Sequence, residues 1–78
     1  MEWSQKQLAE VIKWNEAWLL SRAGVVGVGV GLDAKGDPRV EVLTDGMTPE
    51  VRRAVEERLD GVPLIFTNPG QSMSRDFE

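Results

Sequence analysis

The side chains that could do chemistry in this chain are scattered, and each set can be weighed on its spacing. Asp33, Asp37 and Asp45 offer hard oxygen ligands for a cation. They lack the dense alternation of a calcium loop, and the first two suit roles in a hairpin turn. Glu56, Glu57 and Asp60 lie near Arg52 and Arg53 at helical spacings, so surface ion pairs account for them without acid–base catalysis. Ser21, Thr44 and Thr48 carry hydroxyls, but no base stands at a recognisable spacing to activate them. The chain holds no histidine and no cysteine. That removes Ser-His-Asp and Cys-His nucleophile systems, zinc sites built on imidazole or thiolate, disulfides, and a histidine pH switch. No catalytic residue, cofactor or metal is expected.

The glycines raise a different chemistry. Gly24-x-x-Gly27-x-Gly29-x-Gly31 invites comparison with phosphate-binding loops. It matches neither Gly-x-Gly-x-x-Gly nor Gly-x-x-x-x-Gly-Lys-Ser/Thr, and both motifs need a strand-to-helix turn. Here the glycines alternate with valines inside a strand. In an extended chain Val26, Val28, Val30 and Leu32 project to one side, and Gly27, Gly29 and Gly31 leave the other as bare backbone. Glycine weakens a strand and supplies no packing, so such a run implies that something approaches the main chain closely.

The elements that must position these residues follow from periodicity. Residues 4–20 carry a helical stripe of Leu8, Val11, Ile12, Trp18 and Leu19, with Ser4 as N-cap, Trp14 at the border and Asn15 within the stripe. Asn15 is expected to be hydrogen-bonded at the edge of a packed interface, the rival reading being a polar contact between subunits. Gly24 ends the helix. The glycine-valine strand follows, and the turn chemistry of residues 33–37 joins it as an antiparallel hairpin to a strand over 39–44 with Val40 and Val42 inward. Thr48-Pro49-Glu50 starts a second helix, with Val51, Ala54, Val55 and Leu59 on one face and Gly61 at its end. Residues 62–67 form a last short strand. The expectation is an α+β domain over residues 1–70 with element order α-β-β-α-β. It places three strands in the order 2-1-3, with the glycine strand central and both helices on its valine side. Residues 71–78 are expected to be a loose tail in which Met73 and Phe77 dock on a partner.

Composition bounds the function. Seventy-eight residues make one small domain, a size at which a second subunit often adds needed stability. Nine basic against thirteen acidic side chains give a net charge of −4 without a basic cluster, which disfavours nucleic acid. No apolar run approaches the roughly 18 residues that would cross a bilayer. No secretory signal is visible at Met-Glu-Trp-Ser, so a soluble, cytoplasmic domain is expected.

The Val-Val-Gly-Val-Gly-Val-Gly strand, the Gly-Asp-Pro turn and Leu59-Asp-Gly-Val-Pro63 before a hydrophobic strand carry a family resemblance. Over roughly residues 19 to 70 the chain resembles the small α/β region at the N-terminus of some bacterial trypsin-like serine peptidases. It departs from them in having no peptidase domain, no histidine and a long tryptophan-bearing first helix. The resemblance implies an accessory fold that docks on a neighbour, not protease activity.

The reading that results is a non-catalytic, self-associating interaction module, a homo-oligomer. Its contact residues are sought on the glycine face (Gly27, Gly29, Gly31), on the exposed edge of the 39–44 strand (Arg39, Glu41) and along a Trp3/Trp14 border, where tryptophans about 20° apart on a helical wheel form an aromatic strip. The alternatives are a small-molecule or nucleotide binder using the glycine face with Asp33 or Arg39, and, from the resemblance alone, an inhibitor or folding helper of a peptidase.

Overall fold

The computed structural model describes residues 3–68, so the expected tail at 71–78 lies outside the described residues. Its elements run α1 (Gln5–Leu20), β1 (Val25–Leu32), β2 (Pro38–Thr44), α2 (Pro49–Arg58) and β3 (Leu64–Thr67). This is the anticipated α-β-β-α-β order.

Local chemistry sets each boundary. The Ser4 hydroxyl accepts from the Gln7 N–H at 3.1 Å, and the Gln7 side chain accepts from the Ser4 N–H at 2.8 Å, a reciprocal cap that satisfies orphan donors of α1. Between α1 and β1 the chain turns through Gly24 at φ +87°, where a Cβ would stand 2.5 Å from the Met47 Cα. Glycine is required there on both counts. The hairpin turn is closed by an Asp33 carboxylate oxygen that accepts from the N–H groups of Lys35 and Asp37, each at 2.9 Å. At α2 the Thr48 hydroxyl accepts from the Val51 N–H at 3.3 Å, with Pro49 in the first turn.

Strand order corrects the expectation. The sheet runs β1-β2-β3, with β1 antiparallel to β2 and β3 parallel to β2. The glycine strand is therefore an edge and the 39–44 strand the centre, the reverse of 2-1-3. The physical reason lies with α1, which packs mainly on β1 and secondarily on β2. A crossover from β2 to the far side of β1 would have to pass over ground α1 already covers. On the free side of β2, α2 delivers β3 directly into parallel register, with Val40 opposite Leu64 and Val42 opposite Phe66.

Leu8 and Leu19 of α1, Val40 and Val42 of β2, Val25, Val55 of α2 and Leu59 form one buried core. Both helices thus share the sheet face that carries Val40 and Val42. The helices are also tied to each other at their margin. Arg58 donates from Nε to the Asn15 side-chain oxygen at 2.9 Å and lies over the Trp18 ring, while the Asn15 amide donates to the Val11 carbonyl at 2.7 Å. Asn15 thereby satisfies its polar groups within the chain.

Candidate interaction surface

The hydrogen-bond ladder decides which groups β1 leaves free. The Asp33 N–H donates to the Asp37 carbonyl at 2.9 Å, and the register continues as Gly31 with Arg39, Gly29 with Glu41 and Gly27 with Leu43. Alternation in an antiparallel ladder makes these the bonded pairs and turns the N–H and C=O of Val28, Val30 and Leu32 away from β2. Val40, opposite Val30, confirms the phase, since its N–H points to the other side and donates to the Pro63 carbonyl at 2.9 Å. Among the described residues no strand covers that outer side of β1.

The edge is apolar as well as unpaired. β1 reads Val-Val-Gly-Val-Gly-Val-Gly-Leu, with no charged side chain and no proline. Among the described residues the large apolar side chains left exposed are Trp14, Leu20, Val26, Val30 and Leu32, so three of the five lie on β1. Leu20 belongs with them. At 100° per residue Asn15 and Trp18, which touch Arg58 of α2, fall on one side of the buried Leu8–Leu19 line, and Leu20 falls on the other, toward β1. Edge strands are normally blunted by charge, proline or a bulge. This one carries a bulge at its start, between Val25 and Gly27, and nothing along the rest.

That bulge also revises the expected valine side. Val25 is buried in the core, and Val26 is the extra residue, 58% exposed. From Val28 onward the facing alternates as anticipated, with Val28 packed against the core and Val30 opposite Val40, but Val30 and Leu32 stay exposed because the helices do not reach over this outer edge of the sheet.

The opposite face carries Gly27, Gly29 and Gly31 with Arg39, Glu41 and Leu43, away from the helices. It is not uniformly bare. A Cβ at Gly27 would meet the Leu43 side chain at 3.0 Å and one at Gly31 would run into the Glu41 carboxylate, whereas one at Gly29 would meet nothing within 4 Å. Two of the three glycines therefore make room for side chains of the neighbouring strand. Arg39 and Glu41 pair across this face at 3.8 Å. They sit on the central strand, so the exposed edge expected of residues 39–44 does not exist.

The tryptophans part company. Trp3 precedes α1, outside the helical wheel that paired it with Trp14, and packs against the core. Trp14 is 77% exposed.

Several polar groups are used locally, while the Nε atoms of Arg22 and Arg39 are buried without a hydrogen-bond partner among the described residues. At the carboxyl ends of β2 and β3 an open cleft of about 600 Å³ is lined by Thr44, Gly46, Met47, Thr48, Arg52 and Phe66, among others. Within it the Thr44 hydroxyl donates to the Thr67 carbonyl at 3.3 Å, Thr48 caps α2, and Arg52 lies over the Phe66 ring and pairs with Glu56 at 3.5 Å. Asp33 is committed to its turn. Among the described residues no group of three carboxylates, histidines or cysteines gathers to hold a metal, and no helix is long and apolar enough to cross a membrane.

The sequence points to an exposed edge at residues 39–44, where the sheet instead has its centre, and it does not single out the outward main chain of Val28, Val30 and Leu32 or the exposed Leu20. The signal was present as an eight-residue strand without a single charge. Comparison with known proteins adds nothing to the site, because no family model, no curated protein and no solved structure matches this chain.

Proposed function

We propose that this chain is a non-catalytic interaction module that self-associates by strand addition at the free edge of β1. The observation that carries the reading is an eight-residue edge strand with no charge or proline, bordered by exposed Val26, Val30 and Leu32. Unpaired N–H and C=O groups in a row are a template for another strand, and an edge that is both open and apolar invites one. The size of the chain points the same way. A 78-residue domain supports a net stability of only about 3–5 kcal/mol, and a second subunit adds buried apolar surface.

The absence of histidine and cysteine, and the local use of Thr44, Thr48, Asp33 and Arg52, support a binding role over a catalytic one. Light scattering across a concentration series tests self-association. The molar mass is expected to rise from one chain toward two as concentration increases. A constant single-chain mass into the high micromolar range would overturn the proposal.

A further inference from the structure

We infer that the partner is a second copy of this chain, joined β1 to β1 in antiparallel register with Val30 on the two-fold axis. The inference rests on the self-association proposed above and specifies its geometry.

Symmetry leaves few choices. In an antiparallel pair related by a two-fold axis, facing residues share the same orientation, so the axis falls on a residue. The bulge between Val25 and Gly27 leaves a straight segment running to Leu32. With the axis on Val30, Val28 faces Leu32 of the second copy and Val30 faces its own equivalent. Each of these residues has both main-chain groups turned outward, so the pair of strands closes six hydrogen bonds. With the axis on Gly29, Val28 faces Val30 for only four, and the next pair would fall at the bulge.

The side chains agree with this register. On the helix side it sets Val28 against Leu32 and Val30 against Val30, apolar on apolar. On the other side Gly29 meets Gly31 at the pairs where strands approach most closely, about 4.5 Å between Cα atoms. No charge of β1 opposes a like charge, although each chain carries −4 overall. A strand with polar or charged residues on the helix side would satisfy the main chain but not this matching. The result is a continuous six-stranded sheet, with Leu20 on the flank of α1 that faces the second copy.

Cysteine replacement reads the register, because the chain has no cysteine of its own. Val30 is 37% exposed, so V30C is compatible with folding, and circular dichroism checks that it folds. Facing Cα atoms in a bonded pair lie about 5.5 Å apart, within disulfide reach. Ala34 in the hairpin turn would sit about 27 Å from its copy, four residues from the axis on each side at about 3.4 Å per residue. The expected result is a dimer by light scattering for the unmodified chain, cross-linking of most of V30C on mild oxidation, and little cross-linking of A34C. A dimer that cross-links through W14C or E41C but not V30C overturns this geometry and leaves self-association standing. A monomer overturns both, and a monomer with a protected Val30 amide would assign the edge to the chain's own residues 69–78.

Discussion

Gly29→Val separates what the fold needs from what the surface needs. Gly29 has no positive φ, and a Cβ there meets nothing within 4 Å. Folding therefore gives no reason for glycine. Removing its entropic penalty in a strand contributes about 0.5–1 kcal/mol, and a β-branched residue adds to that on a scale spanning about 1 kcal/mol. The variant should be more stable by about 1 kcal/mol. For a domain of this length that raises Tm by about 4–8 °C, and at a urea slope of about 1 kcal/mol/M it moves the midpoint up by about 1 M. Both are read by tryptophan fluorescence at fixed protein concentration, since association adds to apparent stability. Gly24→Ala is the contrast, because φ +87° and the Met47 backbone at 2.5 Å forbid a side chain, so it should lose stability. Association should persist in the Gly29 variant, because the new side chain stands on the face opposite the apolar pairs. A Gly29→Val protein less stable than the parent would refute the reasoning about open space. Loss of the dimer in a well-folded variant would show that the close Gly29–Gly31 pair does not tolerate a side chain, against the reasoning that this face is uninvolved.

Three further outcomes follow from the same geometry. Val30→Lys sets a charge at the centre of the proposed contact and should weaken association at least tenfold, about 1.4 kcal/mol, by light scattering, with the urea midpoint of the monomer nearly unchanged. Leu19→Ala opens a cavity in a fully buried position and should cost about 3 kcal/mol, enough to leave much of the chain unfolded at 37 °C by circular dichroism. Thr48→Ala removes the hydroxyl that accepts from the Val51 N–H and should lower stability by about 1 kcal/mol in urea titration, without changing the oligomer.

Element identity was legible because each element carries its own signal. The Ser4 cap with its stripe, the Asp33 turn, and Thr48-Pro49-Glu50 read correctly to within a residue or two. Strand order was not legible, because it depends on which ground α1 occupies, a tertiary fact that no local pattern carries. The bulge that buries Val25 and expels Val26 was likewise hidden, since period-two reasoning assumes unbroken pairing. The same blindness shaped the expected contact surface. With β1 taken as central, its glycines looked like a platform and its main chain looked satisfied. Once β1 is an edge, Leu43 and Glu41 explain two of the glycines, and the outward amides of Val28, Val30 and Leu32 become the feature to account for. The helical-wheel pairing of Trp3 with Trp14 failed because α1 starts at Gln5, beyond Trp3.

Amide hydrogen exchange at Val28, Val30 and Leu32, followed as protein concentration rises, addresses the β1 edge most directly. If a second copy pairs there, protection at these three positions grows with concentration, while core amides such as that of Val40 stay protected throughout. Equally fast exchange at all three in a concentrated solution would contradict the account.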